Sequence, residues 1–227
     1  MSRREFDDKL MAMEIQYFGH SCFRIKGKDA ILVTDPYSPE VGLKMNKISA
    51  DIVTVSHPHY DHNNISAVVG TTKRPNPFII SGPGEYEISG VFIYGVSSFH
   101  DAVKGAKRGS NTIYVINMDG IKLSHLGDLG HRLTDEQLEE VNGVDILMIP
   151  VGGTYTLDSH QAVEVISQIE PRVVIPMHYK LPGLKIVLAP VEEFLKEIGV
   201  EVKPTDKLVT SLDRLPEERQ VVVLQKR

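Results

Sequence analysis

The sequence predicts an α/β fold: two mixed, strand-rich sheets sharing one core, with helices on the outer faces. Two patterns lead to this class. Short apolar runs separated by Gly, Pro and Asp fill residues 14–124, and from Thr134 onward capped helices alternate with strands. Each sheet needs one face on a shared core and the other face covered, so this order supports packed sheets with helices outside. A third pattern, candidate metal ligands that each follow a strand-like run, places the chemistry at one sheet edge.

Ile15 to Phe18, Cys22 to Ile25 and Ala30 to Thr34 read as an antiparallel meander, with Gly19 and Gly27-Lys28-Asp29 as turns. Asp35-Pro36 ends it, because the residue before proline is pushed out of helical geometry. Ile52 to Val55 is a buried strand. Ile65 to Val69 is expected to form a short helix ending at Gly70. Strands resume at Phe78 to Ile80 and Val91 to Val96, with Gly82-Pro83-Gly84 and Gly90 between them. Thr112 to Asn117 and Ile121 to Ser124 flank Asp119-Gly120, a strong hairpin signal.

Thr134 with Gln137 forms a capping box that opens a helix stopping at Asn142-Gly143, and Val144 to Pro150 is a strand. Asp158 with Gln161 opens a second helix, whose stripe of Ala162, Val165, Ile166 and Ile169 runs until Pro171. Val173 to Pro176 is a strand. Pro190 suits the first turn of a third helix that stops at Gly199, and Gln220 to Leu224 closes the chain as a strand. No linker divides residues 14–227, which read as one domain behind a tail over residues 1–13.

Composition narrows the function. Hydrophobic residues at 41% and charged residues at 24% are near the globular average, and no apolar run suits a membrane span. The net charge of −5 offers no basic footprint for nucleic acid. Cys22, the one cysteine, excludes an internal disulfide and a thiolate-rich zinc site, and it reads as a small buried hydrophobe. With no secretory pattern in Met1 to Met13, a cytoplasmic location is expected. The expected partner is a small-molecule substrate, without nucleic acid or membrane, and the sequence leaves room for a homo-oligomer.

The chemistry concentrates in His57-Pro58-His59-Tyr60-Asp61-His62. Residues two apart on an extended chain point the same way, so His57 and His59 can reach one ion while Asp61 and His62 reach a second. Imidazole with carboxylate suits zinc, iron, nickel or manganese rather than calcium. His100, Asp128 and His178 each come shortly after a strand-like run, as His57 does. Five histidines and two aspartates then suffice for two divalent ions with a position left open for water.

Several further residues are weaker candidates. Asp35, at another strand end, is expected to orient a metal-bound histidine from behind, and His20 to line the pocket. Lys104, Lys107 and Arg108 after His100, and Lys180 beside His178, are candidates to receive an anionic group. His125 is placed beside the ligands or solvent. His131 and His160 are expected at the surface.

The spacing HxHxDH, followed by a distant His, an Asp and a last His, resembles that of the metallo-beta-lactamase superfamily over residues 14–226. Tyr17-Phe18-Gly19-His20-Ser21, Gly82-Pro83-Gly84-Glu85-Tyr86 and Ile175-Pro176-Met177-His178-Tyr179 are similar to the branch of cytoplasmic hydrolases akin to L-ascorbate-6-phosphate lactonase. The resemblance implies an αββα sandwich with a binuclear site at one edge. By that analogy His57, His59 and His100 hold one metal, Asp61, His62 and His178 the other, and Asp128 bridges them. The absence of a signal peptide and of a Cys ligand counts against antibiotic hydrolysis, and only 49 residues between Asp128 and His178 leave no room for a nucleic-acid-processing insert.

Two cations, zinc first and manganese, nickel or iron as alternatives, lower the pKa of a shared water, so that a metal-bound hydroxide is the expected nucleophile. Asp61 is a candidate proton shuttle. The expected reaction is hydrolysis of a carbonyl or phosphoryl centre in a small anionic molecule, a lactone or ester ahead of a phosphodiester. A non-catalytic metal sensor on the same fold and a diiron redox enzyme are the competing readings.

Overall fold

The computed structural model describes residues 12–227. The expected tail lies outside the described residues except for Ala12 and Met13, and fully buried Met13 already opens the first strand. The chain forms two large sheets. The first has the order β14-β1-β2-β3-β5-β7, built from β1 (Met13–Gly19), β2 (Cys22–Lys26), β3 (Ile31–Thr34), β5 (Ile52–Thr54), β7 (Phe78–Ile80) and β14 (Leu208–Thr210). The second has the order β15-β13-β12-β11-β10-β9-β8, from β8 (Gly84–Ile88), β9 (Val91–Phe99), β10 (Ser110–Met118), β11 (Ile121–His125), β12 (Ile146–Pro150), β13 (Val173–Met177) and β15 (Gln220–Val221).

Strand polarity decides where the site lies. In the first sheet β1 and β3 are both antiparallel to β2, and β3 is parallel to β5. Consequently β1, β3 and β5 run the same way and end on one edge. In the second sheet β9 and β11 are both antiparallel to β10, while β11, β12 and β13 are parallel. Thus β9, β11 and β13 also share an end. His20, Asp35 and His57 follow the first three strands, and His100, Asp128 and His178 follow the second three.

Period-two alternation separates two apolar layers. Phe23, Leu32 and Ile52 face a core shared with Ile113, Leu123, Ile146 and Val174 of the opposite sheet. Their neighbours Cys22, Val33 and Val53 face outward, onto Tyr37, Val41, Leu43 and Ile48. Among the described residues, cover on that side comes from the irregular connection after β3, a 3-10 turn at Pro39–Val41 and the small pair β4 (Ile48–Ser49) with β6 (Val68–Val69).

Helices α1 (Asp135–Glu140), α2 (Ser159–Ile169) and α3 (Val191–Ile198) cover the second sheet. Both expected capping boxes form: Thr134 Oγ accepts the Gln137 N–H, and Asp158 Oδ1 accepts the Gln161 N–H at 2.8 Å. Ala162, Val165, Ile166 and Ile169 bury the inner stripe of α2, each large side chain contributing about 1.5–3 kcal/mol. The α3 start differs slightly from expectation, because Pro190 is its extended N-cap rather than part of its first turn.

One local expectation is corrected, and further strands appear that the sequence did not signal. Residues 65–69 make one 3-10 turn at Ile65–Ala67 and then β6, since Asn64 supplies no side-chain cap and pairing with β4 satisfies the backbone. Gly84–Ile88, between the turn signals at Gly82-Pro83-Gly84 and Gly90, is the edge strand β8. Its alternating Glu85 and Glu87 mark an edge that stays in solvent. Leu208–Thr210 is a further strand, recruited by pairing with β1. At Asp119-Gly120 the hairpin forms as expected, with positive φ at both residues, as a type I′ turn requires.

Candidate metal centre

The six strand ends bring the donors to one place. Asp128 Oδ2 lies 3.1 Å from His100 Nε2, 3.2 Å from His178 Nε2 and 4.0 Å from His57 Nε2. Asp128 Oδ1 lies 3.3 Å from His62 Nε2. The His57 ring is 4.5 Å from His59 and 4.9 Å from His100, centroid to centroid. All seven residues singled out as ligands therefore converge. Three overlapping groups could each hold an ion: His57, His59 and His100; His57, His62 and Asp128; and His20, Asp61, His62 and His178.

Hydrogen bonds behind these rings fix which nitrogen faces inward. Buried Asp35 accepts the Ser56 N–H at 2.8 Å, the Ser56 hydroxyl at 2.6 Å and His62 Nδ1–H at 2.9 Å. Ser56 has one hydroxyl proton, and Asp35 takes it. His57 Nδ1, 2.9 Å from the same oxygen, must then be the donor. His57 Nε2 and His62 Nε2 are thereby left as lone-pair donors directed at the cluster. His57 Nε2 and Asp128 Oδ1 are buried without hydrogen-bond partners, and a neutral His62 would face Asp128 Oδ1 acceptor to acceptor. A cation between them resolves both features, so this donor set fits divalent metal.

The charges agree with that reading. Burial, and then neighbouring His62, holds His57 down to about 3, so its lone pair is available across the neutral range. Burial alone would lower His62 too, but Asp128 and Asp35 outweigh it and raise the ring well above its ordinary value. Burial pushes the Asp128 carboxyl up, yet His178, His62 and the hydrogen bonds from His100 and His178 hold it well below the carboxylate range.

Backbone packing keeps the Asp128 turn in place. Asn111 Oδ1 accepts the Asp128 N–H at 2.9 Å, while Asn111 Nδ2 donates to Ser98 Oγ and the Leu126 carbonyl. Gly127 has φ +55, and a Cβ there would lie 2.3 Å from Asn111 Oδ1. His125 is fully buried, with Nε2 donating to the Ser21 carbonyl and Nδ1 accepting the Gly127 N–H, so it clamps the two sheets together rather than meeting solvent. His131 is half-buried, and its Nε2 accepts the Phe99 N–H just before His100. His160 is exposed as expected and pairs with Glu197.

The cluster floors a cavity of about 780 Å³ lined by His59, Asp61, His100, Asp128 and His178, with Tyr60, Tyr155, Ile186 and Val187 nearer the rim. Arg108 lines it too, its guanidinium 4.7 Å from the Tyr155 ring centroid. Neither Lys104 nor Lys107 belongs to this lining. Lys180 stands outside it as well; Lys185 is the lysine that lines the cavity.

Asp101 holds the Arg108 loop. Its carboxylate accepts N–H bonds from Val103, Gly105, Lys107 and Arg108, at 2.8–2.9 Å. Asn111, Ser56, Asp101, Tyr155 and Lys185 escaped the sequence reading. Only Ser56 and Asp101 carried a signal, as polar neighbours of the candidate ligands His57 and His100.

Comparison with known proteins agrees with this geometry. Residues 14–178 match the family model described as the beta-lactamase superfamily domain. A Thermococcus onnurineus protein named UPF0173 metal-dependent hydrolase is 30% identical over 212 residues, covering 82% of this chain and 92% of that protein. A crystal structure from Thermotoga maritima in the metallo-beta-lactamase superfamily is 41% identical, with TM-score 0.75, covering 93% of this chain and 98% of that one. Igni18, a metallo hydrolase from Ignicoccus hospitalis, shares the fold at TM-score 0.66 and 22% identity, over 88% of this chain and 99% of that one. With the family model spanning most of its length, and with its histidines and aspartates at the ends of six strands, the chain belongs to the metallo-beta-lactamase superfamily.

Proposed function

We propose that this protein is a metal-dependent hydrolase that cleaves a small anionic substrate at a carbonyl or phosphoryl centre, a lactone or ester ahead of a phosphodiester. The observation that carries the reading is the pair of inward-facing ring nitrogens of His57 and His62, set against Asp128 at the floor of an open cavity. His57, His59 and His100 would hold one divalent ion, Asp61, His62 and His178 a second, with Asp128 between them. Zinc suits these donors best, and manganese, nickel or iron are accepted by the same set. When bound, such ions supply Lewis acidity and make hydroxide available near neutral pH.

The chain's own residues do the rest. Asp61 is half-buried and lines the cavity, where its carboxylate can take a proton from the attacking water and return it to the leaving group. Arg108 and Lys185 supply cations for a carboxylate or phosphate on the substrate. Glu40 on the same lining and the apolar group of Tyr60, Tyr155, Ile186 and Val187 restrict the pocket to a compact molecule with one charged end.

Metal analysis of the purified protein, combined with assays on lactones, esters, thioesters and phosphodiesters, tests the proposal. Uptake of transition metal with lactone or ester turnover that chelators abolish is the expected result. Failure to take up any transition metal, or metal uptake with no turnover across the panel, would overturn it, the latter in favour of a metal sensor. Preferential phosphodiester cleavage would overturn the substrate order.

A further inference from the structure

His20 stands outside the HxHxDH spacing, yet it is as deeply built into the cluster as any of the ligands above. The ring is fully buried. Its Nε2 lies 3.2 Å from Asp61 Oδ2 and 3.2 Å from His62 Nε2, and its centroid is 4.3 Å from that of His178. Its Nδ1 is buried without a partner. We propose that His20 Nε2 is a fourth protein donor to the metal position formed by Asp61, His62 and His178. The inference rests on the metal-binding reading above.

The argument is geometric. Once His62 gives up its second proton, its Nε2 is a lone-pair donor, since Nδ1 keeps the proton given to Asp35. His62 Nε2 and Asp61 Oδ2 are 3.6 Å apart, so His20 Nε2 faces two electron-rich atoms that already face each other. One hydrogen on His20 satisfies only one of them, whereas one cation satisfies all three. Donors bound to a common ion at about 2.1 Å lie roughly 3.0–3.4 Å from each other. The two His20 separations fall within that range.

The backbone shows that His20 is held in this position at a cost. It adopts φ +57, a left-handed conformation that non-glycine residues seldom take. Two hydrogen bonds to its carbonyl oxygen keep it there, from the Tyr17 hydroxyl and from the His178 N–H, both at 2.8 Å. The second of these ties His20 directly to the last histidine of the same position.

A consequence is asymmetry between the two positions. Asp61, His62, His178 and His20 make one position rich in protein donors, while His57, His59 and His100 leave the other poorer and open toward the cavity. The first should therefore fill first and exchange slowly, and substrate should dock at the second.

His20→Asn tests this, because asparagine tolerates positive φ but is too short to replace the imidazole nitrogen. Wild type and variant, both stripped of metal, are titrated with Cd(II) by equilibrium dialysis, and the loaded proteins are compared by ¹¹³Cd NMR. Two wild-type resonances are expected, one of which shifts or disappears in the variant as the tighter site weakens by more than about 100-fold, beyond the range for a residue acting through another ligand. The metal-free variant should retain the wild-type circular dichroism spectrum. An unchanged tight site with both resonances intact would overturn the assignment and leave His20 as a hydrogen-bond donor to Asp61. Wild type that binds no Cd(II) would instead sink the metal-binding reading itself.

Discussion

Asp35 Oδ2 accepts His62 Nδ1–H at 2.9 Å, with both side chains fully buried. The same carboxylate accepts two bonds from Ser56, whose oxygen in turn fixes the His57 ring. One buried aspartate thus orients two histidines.

Replacing it should separate folding from metal binding only in part. Asp35→Asn retains the shape but loses acceptor capacity and charge behind His62. Metal affinity at the His62 position should fall about 10–100-fold, and the metal-free protein should lose about 1–3 kcal/mol of stability. Metal titration beside urea unfolding measures both. Wild-type affinity in the variant would show that Asp35 is an ordinary turn residue.

Acid should destabilise the metal-free protein well before its carboxylates titrate. Burial, and then the neighbouring His178, lowers His20 to about 4, while burial and then His62 lower His57 to about 3. Such depressed groups contribute stability that is present above the ordinary histidine value and lost as pH falls toward the folded values. His59 and His125 shift the same way, through burial first. His62 runs opposite: its raised value contributes stability that is full at low pH and lost as pH rises through it. Between about pH 7 and pH 5, His20 and His57 should each remove about 2 kcal/mol, more than His62 returns. Urea midpoints in chelator at the two pH values should show the fall.

Proton release should accompany metal uptake, because His62 must surrender its proton to become a ligand. Apparent affinity should therefore rise with pH through neutrality and above. Calorimetry in buffers of different ionisation enthalpy measures the released protons, and a pH-independent affinity would contradict the assigned role of His62.

Asp101→Ala should loosen the loop that carries Arg108 by freeing four backbone N–H groups. Hydrogen exchange at Val103, Gly105, Lys107 and Arg108 should accelerate. With the anionic substrate identified by the panel, KM should rise about tenfold in Asp101→Ala and Arg108→Ala, with a smaller change in kcat. Lys185→Ala should follow Arg108→Ala, and Lys180→Ala should leave KM unchanged.

Gly127→Ala should be among the costliest small substitutions. Its φ of +55 and a Cβ 2.3 Å from Asn111 Oδ1 would displace the turn that presents Asp128. A loss of about 2–4 kcal/mol, together with weaker metal binding, is expected from thermal unfolding and metal titration. A neutral outcome would mean that Asn111 does not hold Asp128.

Local rules set what could be read in the chain itself. The capping boxes at Thr134 and Asp158, the Asp119-Gly120 hairpin and the period-two strands are contacts between residues close in sequence, and they appear as read. The candidate ligands were legible for a related reason: His and Asp shortly after strand-like runs carry their chemistry in their identity. Short-range signals were silent on edges and neighbours. Strand β8 carries Glu85 and Glu87 and exists because β9 offers it hydrogen bonds; residues 65–69 pair with β4 rather than coil. His20 meets His62 and Asp61 across more than forty residues, and Lys185 rather than Lys180 reaches the cavity, only once two sheets stack with six strands ending on one edge. Sequence determined most of the elements and the candidate donors because each depends on a residue and its near neighbours. Tertiary structure alone decided which nitrogen faces inward and which side chains share the cavity, because those depend on separations set by the packing of distant segments.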